Sequence, residues 1–149
     1  MPALRPARPE DAPAVTALVR AAYARWVPLL GREPAPMTAD YPGLIAAGAV
    51  SLLEDSGVLL GVLVLITEPD ALMVENVAVA PAAQRRGLGA MLLDEADRVA
   101  RAAGRDRMRL YTNAAMGANI AYYARRGFVE TRRVTEHGLH RVYMERRLD

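Results

Sequence analysis

The sequence predicts an α/β domain: a mixed central β-sheet with helices on its faces. Three observations point there. Short apolar runs of strand length alternate with amphipathic runs of helical period. The chain has 149 residues, 52% of them hydrophobic, which is the size of one ordinary domain with a substantial core. A strand-like run also passes straight into a helix through a glycine–arginine junction, "VAVAPAAQRRGLGAMLLDEA", residues 77–96.

Taken in order, Met1–Arg5 is expected as a short first strand. Glu10–Arg25 is expected as a helix, with Asp11 as its cap, Pro13 in its first turn, and Val15, Leu18, Val19 and Ala22 as its apolar stripe. Residues 27–42, "VPLLGREPAPMTADYP", read mostly as loop, and Leu44–Ala47 as a short helix ending at Gly48. Ala49–Glu54 and Val58–Ile66 flank "DSG", favourable hairpin chemistry, and "EPDA" turns the chain into a strand over Leu72–Val79. Leu88–Ala103 is an amphipathic helix, with Leu88, Leu92, Ala96 and Val99 on one side, and Gly104 suits its stop. Met108–Thr112 is a strand and Ala118–Arg126 a short helix closed by Gly127. Phe128–Arg133 and Val142–Arg147 are final strands around "EHGLH". The order is β α α β β β α β α β β, in a single domain spanning residues 1–149.

Composition narrows the function classes. There is no cysteine, which excludes disulfides, cysteine-ligated metal and a cysteine nucleophile. All 19 basic side chains are arginine, so no lysine can serve as Schiff-base former or general base. The formal charge of +2 is small for a duplex-binding protein, and a nucleic-acid module built on the basic end (Arg132, Arg133, Arg141, Arg146, Arg147) is the weakest reading. No apolar run has the length of a membrane span, and "MPALRPARPEDAP" has no signal-peptide core, so a cytoplasmic protein without membrane partners is expected. His137 and His140 are too few for a metal site and read as turn residues.

The junction itself suggests an anion site. The first amides of a helix lack intrahelical partners and point outward, at the positive end of the helix dipole. Gly87 and Gly89 let a ligand approach the backbone, and Arg85 and Arg86 add charged donors. Two familiar phosphate loops do not fit. A Walker loop ends in Lys-Ser/Thr, and the chain has no lysine. A dinucleotide fingerprint needs glycine three residues after Gly89, where Leu92 stands.

The stretch resembles the acyl-CoA-binding signature Q/R-x-x-G-x-G/A of the GNAT superfamily of N-acetyltransferases, carried by Gln84, Gly87 and Gly89. The preceding "MVENVAV" and the following helix match its context. "NIAYYARRGFVE" resembles the family's second motif, and "RPARPEDAPAVTALV" its usual first strand and helix. The resemblance implies a GNAT-like fold and direct acyl transfer in a ternary complex, with acetyl-CoA as co-substrate, a primary amine as acceptor and no metal. It further implies coenzyme contacts from Val77, Ala78 and Val79, from Gln84, Arg85, Arg86, Gly87, Leu88, Gly89 and Ala90, and from Asn119 and Tyr123. Tyr123, rather than its neighbour Tyr122, stands where the family's thiolate-protonating acid stands, four residues before Gly127. Glu75, on the strand lining the cleft, is the candidate base. One departure is Met116, where many relatives carry an asparagine seven residues before the tyrosine; Asn119 sits four before it instead. Tyr23, Trp26, Met37, Asp40 and Tyr41 fall in the segment that roofs the acceptor pocket in such a fold, where aromatics and a carboxylate suit a cationic amine. A homodimer is compatible with the family. The alternative reading is a non-catalytic acyl-CoA-binding regulatory module of the same fold.

Overall fold

The computed structural model describes residues 1–149. Seven strands form one sheet in the order β1-β2-β3-β4-β5-β7-β6. The strands are β1 (Ala3–Pro6), β2 (Val50–Asp55), β3 (Val58–Thr67), β4 (Leu72–Val79), β5 (Arg107–Asn113), β6 (Val129–Glu136) and β7 (Leu139–Arg147). The helices are α1 (Ala12–Tyr23), α2 (Val27–Leu30), α3 (Tyr41–Ala46), α4 (Leu88–Ala102) and α5 (Gly117–Arg125). The chain groups into two compact units, Met1–Leu65 with Asn76–Ala96, and Ile66–Glu75 with Asp97–Asp149.

In the first unit β1 pairs antiparallel with β2, and β2 with β3. The β2–β3 turn places Ser56 at φ 52° and Gly57 at φ 78°, the double left-handed pair that matches the twist of a tight hairpin. The core forms where the stripe Val15, Leu18, Val19 and Ala22 of α1 meets Tyr41 and Ile45 of α3, Val50 and Leu52 of β2, Val62 and Val64 of β3, and Ala78 of β4. Each fully buried Val or Leu there contributes about 1.5–3 kcal/mol relative to exposure. Gly61 on β3 permits close packing: a Cβ there would lie 3.0 Å from Leu92 Cδ1 and 3.3 Å from the Ala78 carbonyl.

In the second unit the first half of β4 runs parallel to β5, pairing Leu72, Met73 and Val74 with Met108, Arg109 and Leu110. β7 pairs antiparallel with both β5 and β6, and β6 carries a register shift between Glu130 and Arg132. Leu72, Val74, Ala100, Met108, Leu110, Phe128, Val142 and Met144 are buried. The β6–β7 turn repeats the double left-handed pair, with His137 at φ 52° and Gly138 at φ 77°.

The structure corrects three sequence expectations. Val27–Leu30 is a helical turn rather than loop, closed by Gly31. α3 begins at Tyr41, three residues earlier than expected, because Asp40 accepts a hydrogen bond from the Gly43 amide at 3.1 Å and caps it. Asp11 does not cap α1 with its side chain; it accepts from the Arg8 amide at 2.7 Å and pairs with Arg5 at 2.8 Å, closing the 3-10 turn Pro9–Asp11. No helix is long and apolar enough to cross a membrane.

Candidate active site

β4 ends at Val79, and a 3-10 turn, Pro81–Ala83, leads to Gln84. Ala83 is buried and anchors the turn. Gln84 does not point outward. Its side-chain amide donates to the Val79 carbonyl at 3.3 Å, folding the loop back onto the end of β4. Arg85 then sits at φ 65° and Gly87 at φ 75°. The first is unusual for a residue with a side chain, since the left-handed region costs roughly 1 kcal/mol outside glycine. Gly87 pays no such penalty, and a Cβ there would meet nothing within 4 Å. Its glycine is thus required by backbone conformation, not by crowding from the protein.

These two left-handed residues reverse the chain directly into α4. The first intrahelical bond at this end is Met91 N–H to the Gly87 carbonyl, at 3.3 Å. The amides of Leu88, Gly89 and Ala90 therefore occupy the helix end where donors lack intrahelical acceptors. Gly89 lies inside the first turn of α4 rather than in the loop. Leu88 and Ala78 are buried, so their side chains belong to the core and only their backbones remain for ligand contact. Arg85 and Arg86 are exposed. On β4, Val77 and Val79 are half-buried and lie beyond the Leu72–Val74 ladder to β5.

In the same unit, α1 and α3 meet β4 through a polar chain not anticipated from the sequence. The Tyr23 hydroxyl donates to Asn76 Oδ1 at 2.8 Å and lies 3.5 Å from the Val77 carbonyl. Asn76 Nδ2 donates to the Tyr41 hydroxyl at 3.1 Å, and that hydroxyl reaches the Pro36 carbonyl. Asn76 is 5% exposed. Of the residues suggested for an acceptor roof, Met37 and Tyr41 are core side chains and Asp40 is a helix cap. Trp26 is half-buried under the Arg25 guanidinium, 4.9 Å from its ring.

In the second unit, Glu75 projects from the half-exposed face of β4 and accepts a hydrogen bond from the Tyr111 hydroxyl of β5 at 3.1 Å. α5 follows Met116, which is buried. Asn119 is half-buried in the first turn of α5, its backbone N–H donating to the Met116 carbonyl at 3.0 Å. Tyr123 is half-buried, edge-on to Tyr122 at 5.5 Å and to Phe128 at 5.8 Å. Burial, then neighbouring Tyr122, pushes its hydroxyl up to about 12. The phenol therefore stays protonated at neutral pH, the state an acid needs.

The basic end is largely paired, although Arg132, Arg133 and Arg147 remain exposed. Arg133 pairs with Glu130, Arg141 with Glu136 and Arg146 with Asp97, while Arg132 lies over the Tyr143 ring at 4.3 Å. His137 forms the hairpin turn, and His140 Nδ1 meets Thr135 Oγ1 at 3.1 Å. No group of three or more His, Cys, Asp or Glu side chains is arranged to hold a metal ion.

The mixed seven-stranded sheet thus carries a glycine–arginine turn opening a helix after its fourth strand, and a helix ending in Tyr-x-x-x-Gly-Phe after its fifth. The acetyltransferase (GNAT) family model matches residues 15–128, and the chain belongs to that family. Solved structures share the fold. The PaiA N-acetyltransferase from Thermoplasma acidophilum, in complex with coenzyme A, is 16% identical with a TM-score of 0.82, over 99% of each chain. The ribosomal-protein-S18-alanine N-acetyltransferase from Escherichia coli is 21% identical with a TM-score of 0.77, over 100% of this chain and 95% of that one. N-acetylglutamate synthase from Neisseria gonorrhoeae, complexed with coenzyme A and N-acetyl-glutamate, is 24% identical with a TM-score of 0.78, over 100% of this chain but 35% of its own. A comparison with curated proteins found no match.

Proposed function

We propose that this chain transfers an acetyl group from acetyl-CoA to a primary amine by direct attack. The observation that carries the reading is the junction after β4. Arg85 and Gly87, both left-handed, turn the chain so that the first amides of a 15-residue helix open beside two exposed arginines. That arrangement suits the diphosphate of a coenzyme A. The backbone of Val77 and Val79 takes the pantetheine arm as an added strand, and Asn119 hydrogen-bonds the coenzyme. The solved relative from Thermoplasma acidophilum supports the choice of ligand, since it holds coenzyme A.

In the proposed step Glu75, directly or through one water, takes a proton from the acceptor ammonium. The neutral amine attacks the thioester carbonyl, forming the C–N bond as the C–S bond breaks. Backbone amides of β4 polarise the carbonyl oxygen. Tyr123 gives its proton to the departing thiolate and takes one back from the newly acylated nitrogen, so the neutral amide and free coenzyme A leave while the proton held by Glu75 passes to solvent.

Calorimetric titration with acetyl-CoA beside adenosine diphosphate tests the binding half. Micromolar binding of acetyl-CoA, much tighter than the nucleotide, is expected; no binding up to millimolar concentration overturns the reading. Thiol release on a panel of spermidine, lysine and an alanyl peptide then tests transfer. Binding without thiol release on any amine favours the non-catalytic alternative.

A further inference from the structure

We infer that Tyr111 is the positioning residue for Glu75, fixing its carboxylate so that one oxygen stays committed and the other faces the acceptor amine. The inference rests on the proposed role of Glu75 as base. The two residues follow the last pair of the β4–β5 ladder, Val74 with Leu110, so the parallel register brings them side by side on two strands rather than on loops. The Tyr111 hydroxyl donates to Glu75 Oε1 at 3.1 Å. Burial first, then the charge of Glu75, pushes the Tyr111 hydroxyl above the usual tyrosine range. It remains a proton donor wherever a base could work, and Glu75 Oε1 remains its acceptor.

The ring of Tyr111 is itself held. The Arg141 guanidinium of β7 lies 4.3 Å over it, and the Tyr143 ring stands 5.6 Å away. Arg141 in turn pairs with Glu136, at the end of β6, across 2.6 Å, and Tyr143 donates to the same carboxylate at 3.1 Å. Arg132 covers Tyr143. The charged and titratable groups packed on Tyr111 are Arg141 and Tyr143 from β7, which engage Glu136 and Arg132 of β6; two residues along the same faces, Arg109 of β5 pairs with Glu68, Asp70 and Glu145. Their mutual pairing leaves Tyr111 as the group that hydrogen-bonds Glu75. A donor to a carboxylate favours its charged form.

The test compares the pH profiles of kcat/KM, by thiol release from acetyl-CoA with the fastest amine of the panel above, for wild type, Tyr111→Phe, Tyr143→Phe and Glu75→Gln. Tyr111→Phe keeps the ring and its stacking partners. It is expected to lose about tenfold in kcat/KM at neutral pH, with the acid limb moved to higher pH and the rate recovering there. Acetyl-CoA affinity stays at the wild-type value. Tyr143→Phe removes a hydroxyl that serves Glu136 and leaves the limb in place. An unmoved limb in Tyr111→Phe, or an equal shift in Tyr143→Phe, overturns the inference while Glu75 stands as base, provided Glu75→Gln abolishes the limb. If Glu75→Gln retains the wild-type limb, or no amine releases thiol, the base assignment itself fails and the inference fails with it.

Discussion

The Tyr23 hydroxyl on α1 donates to Asn76 Oδ1 on β4 across 2.8 Å. Through the second hydrogen bond of Asn76, to Tyr41, one buried amide ties α1 and the start of α3 to the strand proposed to carry the pantetheine arm. Buried polar groups are costly to leave without partners, about 1–3 kcal/mol each. Asn76→Leu is therefore expected to lower stability by about 2–3 kcal/mol, measured by urea denaturation. Tyr23→Phe removes one of these bonds and is expected to cost about 1 kcal/mol. A double-mutant cycle with non-zero coupling confirms the link; additive losses refute it.

A second prediction concerns Gly87. Its φ of 75° is left-handed, and its missing Cβ faces open space. Gly87→Ala meets no clash but is strained, and is expected to lower stability by about 1 kcal/mol. If the loop cradles the coenzyme diphosphate, the added methyl also obstructs the approach that the bare backbone allows. The expected result is at least tenfold weaker acetyl-CoA binding in calorimetry, a larger loss than the roughly 1 kcal/mol of folding strain predicts for an unoccupied turn.

The glycine–arginine junction was legible because all its determinants are local: a strand, a left-handed glycine and a helix start lie within about a dozen residues. Asn76 was not, because its partners lie 53 and 35 residues away, on Tyr23 and Tyr41. Tyr111 was hidden for the same reason, since Glu75 is 36 residues from it and reaches it only through the β4–β5 register. Asp40 and Asp11 show the converse error. Each is a short acidic side chain near a helix start, and sequence cannot decide whether it meets an incoming ligand, the next helix or the previous turn. Asp40 caps α3; Asp11 satisfies Arg8 and Arg5. The helical turn Val27–Leu30 was missed because proline and glycine dominate its surroundings, although proline is well suited to a first helical turn.

For Tyr123, the acid role predicts a specific kinetic pattern. Tyr123→Phe is expected to lower kcat by about 100-fold or more with acetyl-CoA affinity unchanged. A variant that binds normally and turns over as fast as wild type removes the role. With its hydroxyl pushed up to about 12 by burial, the wild-type rate has no alkaline limb from this residue below about pH 10. The sign for stability follows. The folded value lies above the unfolded one of about 10, so the contribution is intact below pH 10 and is lost as pH rises toward 12.

The Arg5–Asp11 pair sets the opposite pH branch. The Arg5 guanidinium, then the Arg8 amide, hold the Asp11 carboxyl at about 2, below the ordinary aspartate value. A carboxyl depressed in the folded state binds its proton more readily when unfolded, so its stabilisation is present above about pH 4 and is lost as pH falls through 2. The pair ties β1 to the turn that launches α1, and both side chains remain partly accessible, at 23% and 17%, so solvent screening reduces its worth to about 1 kcal/mol. Asp11→Asn is expected to lower stability by that amount at neutral pH and to flatten the acid side of the stability profile between pH 4 and 2. Thermal melts across this range decide the matter: if wild type and variant lose stability in parallel as pH falls, the pair is not the source of the acid branch.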